Sequence, residues 1–233
     1  MSKDNNVQDL LRDVANAIRE KKGTTDLINP QNFSEEIRGI ESGGDDNGWN
    51  ASVELVDSSQ YGPDAIKSLI INEGVKELTY RAIYYATKMT HLSLPSTLTT
   101  IASNAVAGAF ELKSIVIPDN VITIGSDAFS SCRKIAEVRI PDAVISIGDS
   151  AFRYCYALKS VDIGTGITSI GQLGFANGGV TTVTIRATNP PSIYTNTFAP
   201  APSVIYVPKD SVEAYKEATN WSDLASIIQP IAE

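Results

Sequence analysis

One pattern recurs at every twenty-third position through the middle of the chain. Leu92-Ser-Leu94-Pro95 is followed by Ile115-Val-Ile117-Pro118, then Val138-Arg-Ile140-Pro141, then Val161-Asp-Ile163-Gly164. Three positions after each block stands an apolar residue: Leu98, Val121, Val144 and Ile167. Three further on stands another: Ile101, Ile124, Ile147 and Ile170. Self-similarity at one period predicts a solenoid, in which each repeat is a rung that hides its apolar side against its neighbours. A single rung cannot offset the entropy of ordering its own backbone, so the rungs must stack. Such an architecture shows a surface and is a poor place for a closed catalytic pocket.

Within a rung, residues two apart share a face, so Ile115 and Ile117 point inward. Pro118 ends that strand because it has no N–H for a ladder. Val121 and Ile124 make a second short segment, and Gly125 permits the next turn. Ala128, Phe129 and Cys132, at i, i+1 and i+4, suit a single helical turn that closes the rung. The rung that starts at Leu92 departs from this. It has Ala105-Val106 where the others have Ala-Phe, and its Phe110 comes four residues late, so its turn is expected to be rearranged.

The flanks differ from the repeat. Val7, Leu10, Leu11, Val14 and Ile18 recur at helical spacing, with charged residues on the other faces. A second short helix follows, with Phe33 and Ile37 on one face. Residues 1–44 therefore read as a small α-helical hairpin, an attachment or assembly module, and those seven apolar residues are its candidate assembly surface. A homo-oligomer formed through these helices is one expected consequence. Residues 45–65 read as a linker and a strand or two capping the first rung. The solenoid covers 66–208. Residues 209–233 form a C-terminal cap: a helix from Ser211 to Ala218 with Asp210 or Ser211 as its N-cap, then Trp221 and Ile227-Ile228 buried over the last rung.

Charge and composition remove several functions. The net charge is −8 and there is no basic stripe, which argues against nucleic-acid binding. No run of eighteen apolar residues exists, so no membrane insertion is expected. The first residues, Met-Ser-Lys-Asp-Asn-Asn, carry no apolar stretch of the kind a signal peptide needs. The two cysteines, Cys132 and Cys155, are one repeat apart and should occupy one position on adjacent rungs. A buried pair of thiols is the plain expectation, and a disulfide formed on oxidation the alternative.

The repeat as it stands from Leu112 to Cys132, Leu-x-x-Val-x-Ile-Pro-x-x-Val-x-x-Ile-Gly-x-x-Ala-Phe-x-x-Cys in its general form, resembles the BspA-type leucine-rich repeat. The resemblance covers about residues 66–230, with the Asn189-Pro-Pro turn and the Ile205-Tyr-Val-Pro ending. It implies a mainly β, right-handed leucine-rich-repeat superhelix with short helical turns. It also implies a non-enzymatic protein, since members are typically adhesins and binding proteins of bacterial or parasite surfaces. The segment from Leu11 to Asp26, on through Phe33 and Ile37, resembles a short module of phage tail and other virion structural proteins. Together the two imply a phage or prophage virion component, such as a tail or head fibre, a receptor-binding or a decoration protein. Its partners would be a host cell-surface protein or glycan, or other virion proteins. A bacterial cell-surface or secreted adhesin is the alternative, and a glycan-active enzyme a distant third.

No catalytic constellation, cofactor loop or metal-ligand cluster stands out. His91, the only histidine, falls on the outward side of a first strand with no nucleophile marked beside it. The outward positions are candidates for partner contact instead. Tyr80, Tyr84, Tyr85, Arg133, Arg153, Tyr154 and Tyr156 concentrate the residue types enriched at interface hot spots, and His91 and Arg139 stand in the strand columns. Packing between turns is the competing explanation for the tyrosines and arginines.

Overall fold

The computed structural model describes residues 51–55, 66–71 and 73–232. The helical hairpin, and with it Val7, Leu10, Leu11, Val14, Ile18, Phe33 and Ile37, lies outside the described residues. In chain order the strands are β1 (Ala51–Leu55), β2 (Ile66–Ile71), β3 (Glu77–Leu78), β4 (His91–Ser93), β5 (Thr100–Ile101), β6 (Thr123–Ile124), β7 (Glu137–Ile140), β8 (Ser146–Ile147), β9 (Ser160–Ile163), β10 (Ser169–Ile170), β11 (Thr182–Ile185), β12 (Val204–Val207) and β13 (Ile228–Pro230). The molecule is a mainly β parallel solenoid.

The first strands of the rungs pair in parallel: β2 with β4, then β7, β9, β11, β12 and β13. Ser68 faces His91 and Glu137 faces Ser160, which is the repeat period turned into a register. Thr182 faces Ser160, so that rung is one residue shorter. Inward and outward residues alternate as a half-buried strand requires: Val138 and Ile140 are buried, Glu137 and Arg139 exposed. The rung between β4 and β7 keeps Ile115 and Ile117 inward but makes no ladder pairing there. At the N-terminal end, β1 pairs antiparallel with β2 and covers its edge, as a cap must.

The second strands form another parallel sheet, β3-β5-β6-β8-β10. Between the two sheets the repeat proline closes a tight turn. The carbonyls of Pro95, Pro118 and Pro141 each accept from the N–H three residues on, at 3.2, 3.0 and 3.1 Å. Gly125 does not serve the backbone angle, as the sequence alone suggested. A Cβ there would lie 2.5 Å from the Ser103 nitrogen, so glycine is needed because adjacent rungs touch at this point.

The third side differs from expectation. It is no helical turn. Ala128, Ser130 and Cys132 donate to carbonyls three residues back, and two residues per rung take positive φ. These two positions recur in five successive repeats: Arg81, Asn104, Asp127, Ser150 and Leu173 in one column, and Tyr85, Gly108, Ser131, Tyr154 and Asn177 in the other. Between them the N–H groups of Ile83, Val106, Phe129 and Phe152 each donate to the next rung. The rung of Leu92 is not rearranged either. Asn104 and Gly108 hold both positive-φ positions, and Val106 and Gly108 donate to Ala128 and Ser130 as their counterparts do. Val106 simply takes the place of the phenylalanine.

One continuous core fills the interior. Phe129, Phe152, Phe175 and Phe198 stack along it with centroids 5.2, 5.2 and 5.7 Å apart and near-parallel planes. The column stops on Trp221, 6.1 Å from Phe198. Trp221 donates its indole N–H to the Pro191 carbonyl at 2.8 Å, and Tyr215 its hydroxyl to the Ala187 carbonyl at 2.9 Å. Tyr215 lies on α1 (Val212–Glu217), for which Ser211 is the N-cap residue but makes no side-chain capping bond. The cap thus satisfies carbonyls that the last turn would leave open.

Candidate functional site

The two cysteines are buried free thiols that donate to the carbonyls of Val106 and Phe129, at 3.4 and 3.3 Å. Burial pushes the Cys155 thiol up to about 12, and burial together with its neighbour pushes Cys132 well up. Both stay protonated at neutral pH and belong to the core, not to a nucleophilic site. Among the described residues no group of three His, Cys, Asp or Glu side chains is placed to hold a metal ion. His91 lies on the first-strand face, exposed. Arg139 lies on the same face, its Nη1 2.8 Å from the Asp119 Oδ1, with both side chains largely exposed. Further along, Arg186 grips Asp162 through two bonds of 2.8 Å. These pairs order the strand face, and water and salt weaken each of them.

The other predicted residues come together on the turn side. Arg81 sets its guanidinium over Tyr80 at 5.0 Å and over Tyr84 at 4.6 Å. Tyr84 meets Tyr85 at 4.6 Å, and Tyr85 meets the edge of Phe110 at 5.8 Å. Arg133 lies 4.1 Å over Phe110 and 6.0 Å from Tyr156. Tyr156 meets Tyr154 at 6.1 Å, and Arg153 lies 4.5 Å over Tyr154. The result is an unbroken ribbon of rings and guanidinium groups that crosses the rungs. Each link falls in the range where ring quadrupoles attract rings or cations.

The local backbone explains the ribbon. Phe110, Arg133 and Tyr156 occupy one column, one repeat apart, immediately after the buried Ala109, Cys132 and Cys155. Phe110 is therefore not a core phenylalanine displaced by four residues. Gly108 lies in the column of Tyr85, and a Cβ on it would come within 3.0 Å of the Tyr85 ring, so the missing side chain makes room for that ring. Sequence reasoning missed Arg81 and Phe110, both of which complete the chain of contacts. Alignment in columns by the repeat period was the signal that would have found Phe110.

Tyr80, Tyr85 and Tyr156 are each about half exposed, at 55, 49 and 53%. Tyr85 and Tyr154 are the two tyrosines in the second positive-φ column. A non-glycine residue there costs roughly 1–2 kcal/mol, and other rungs put Gly108 or Asn177 in the same place. Within the fold, a tyrosine at either position offers only its ring and cation contacts in return for that cost. Among the described residues Arg81, Arg133 and Arg153 form no salt bridge, and Nε of Arg153 is buried with no hydrogen-bond acceptor.

The BspA-type leucine-rich repeat region matches residues 76–205 in six copies. The chain belongs to the BspA-type leucine-rich repeat family. Among solved structures, a leucine-rich cell surface protein from Faecalibacterium prausnitzii A2-165 is 30% identical with a TM-score of 0.55, over 67% of this chain and 42% of that one. The pneumococcal vaccine antigen PcpA shares the fold at 23% identity and a TM-score of 0.55, over 72% of this chain and 41% of its own. This BspA-type chain thus spans less than half the length of either protein. A search of the curated proteins gives no match. In the BspA-type frame the strands, the phenylalanine column and the cysteines are scaffold, and the ribbon is the feature that the repeat does not require.

Proposed function

We propose that this chain is a non-enzymatic binding module displayed at a bacterial surface, and that it grips its partner through the ribbon from Tyr80 to Arg153. The observation that carries this is the pair Tyr85 and Tyr154. Both sit where the backbone disfavours them, and both place rings, exposed at Tyr85 and half-buried at Tyr154, in a row with three arginines. Tyrosine and arginine give large contact area and directed donors at modest entropy cost. The likeness to a cell surface protein supports the surface placement over a virion, whose module lies outside the described residues. His91 and Arg139, on the strand face, take no part in this contact.

The test is binding of the fluorescent full chain to cultured epithelial cells, read by flow cytometry. The variant Tyr80→Ser/Tyr85→Ser/Tyr156→Ser should lose most of the signal, and His91→Ala should keep it. Equal binding by all three proteins would sink the ribbon as the contact surface. Mass spectrometry of envelope fractions beside purified phage particles tests the placement. Recovery in the particles alone would restore the virion reading.

A further inference from the structure

The charges of this acidic chain are sorted by side. The turn segments 79–90, 102–113, 125–136 and 148–159 hold seven Lys or Arg against three Asp or Glu. The strand segments 68–78, 91–101, 114–124, 137–147 and 160–170 hold two against six. A chain of net charge −8 thus carries its ring ribbon on its locally basic side. Such a surface attracts an anion and repels a cation. The guanidinium groups of Arg133 and Arg153 lie over rings and form no salt bridge among the described residues; the Arg153 Nε is buried and Asp127 is within its electrostatic reach, so the exposed Arg133 is the stronger donor for an incoming acceptor.

The main chain argues about the kind of anion. On the turn side, the N–H groups of Tyr85, Gly108, Ser131 and Tyr154 are bonded to carbonyls of the next rung. An extended peptide therefore has no free edge to pair with, and recognition falls to rings and arginine forks. Rings stack on the apolar C–H face of a pyranose, and an arginine fork matches a carboxylate with two parallel bonds. Rungs repeat at about 4.8 Å, a spacing close to the rise of one sugar in an extended polysaccharide. The alternation Phe110, Arg133, Tyr156 on three successive rungs offers ring, cation, ring at separations of 4.1 and 6.0 Å, which bracket that interval.

We infer that the ribbon takes a polysaccharide of carboxylated sugars, laid across the rungs with its uronic-acid carboxylates on Arg133 and Arg153 and its sugar faces on the tyrosines. This rests on the ribbon being the contact surface, and it names the chemical class of the partner.

The experiment measures binding of the full chain to immobilised polygalacturonate, with dextran as the neutral probe and polyglutamate as the acidic peptide. Polygalacturonate should bind, at least tenfold more tightly than polyglutamate, and dextran should not. Raising the salt from about 50 to 300 mM should weaken the binding several-fold. Arg133→Gln and Arg153→Gln should each weaken it at least fivefold, while Lys76→Gln, on the strand side, leaves it unchanged. The inference is overturned if polygalacturonate does not bind, if polyglutamate binds equally well, or if Lys76→Gln costs as much as Arg133→Gln. Should polygalacturonate fail while the triple tyrosine variant still abolishes cell binding, the sugar class is wrong and the ribbon stands. Should the triple variant bind cells normally, the ribbon itself is wrong.

Discussion

Arg133 sits 4.1 Å above the ring of Phe110, one repeat after it in the chain. The same period that aligns the core also aligns this outer column, so a cation and a ring meet without any loop to bring them together. Neither residue is needed by the core. The pairing is worth about 0.5–1 kcal/mol at an exposed site, so breaking this one link should barely move the stability of the fold.

Tyr154→Gly separates the role of the ring from that of the backbone. Glycine removes the positive-φ cost of roughly 1–2 kcal/mol and forfeits ring contacts worth about 0.5–1.5 kcal/mol. The urea midpoint should stay within error of the parent or rise, while cell binding falls. A large loss of stability would show that the ring is scaffold.

Phe152 lies between two stacked rings in a fully buried column. Phe152→Ala should cost about 3–5 kcal/mol in urea unfolding. Val106→Ala, in the same column where no ring is present, should cost clearly less.

Gly148 presses on the backbone of the preceding rung as Gly125 does. Gly148→Ala should cost about 1–3 kcal/mol by overpacking. Ser131→Gly, at a positive φ of 63°, should be neutral or stabilising. Thermal melts of the two variants should move in opposite directions or differ by the whole of the first cost.

Two aspartates give opposite pH slopes. Chiefly the Thr165 N–H, at 2.8 Å, holds the Asp142 carboxyl below its ordinary 3.8. The stability this lends is present above the unfolded value and is lost as pH falls through the lower folded value. Burial, partly offset by Ser130 and Arg153, holds Asp127 above 3.8. Its cost is present above the folded value and vanishes as pH falls below the unfolded one. Melts between about pH 2.5 and 7 should therefore show that Asp142→Asn flattens the acid-side loss, and that Asp127→Asn gains stability at neutral pH but not in acid.

The thiols of Cys132 and Cys155 should resist iodoacetamide in the native protein and react at the rate of free cysteine in concentrated urea. Mass spectrometry of the two samples reads the difference. Rapid native labelling would mean that the phenylalanine column opens readily.

The period made the core legible: every aliphatic at the inward strand positions, the ring column and the Trp221 cap follow from spacing and hydrophobicity. The turn side was not legible in the same way. Arg81, Asn104, Asp127, Ser150 and Leu173 share one left-handed conformation with no shared residue type, because hydrogen bonds to the next rung, not local preference, hold it. A stretch such as Ala128 to Cys132 therefore reads as helix by spacing and folds as two tight turns. Phe110 misled for a related reason. An apolar residue near a gap in the core pattern reads as core, and only its column, shared with Arg133 and Tyr156, places it outside.

The hydrogen bonds that join the rungs point along the stack. Tension applied between the two ends of the solenoid therefore loads them one rung at a time, as a zip opens, and not all together. Each rung released would let out one repeat, roughly 75 Å of extended chain at about 3.3 Å per residue. A molecule bound to its partner along the turn side and pulled from its C-terminal end would yield by lengthening there, while the rungs beneath the ribbon kept their grip.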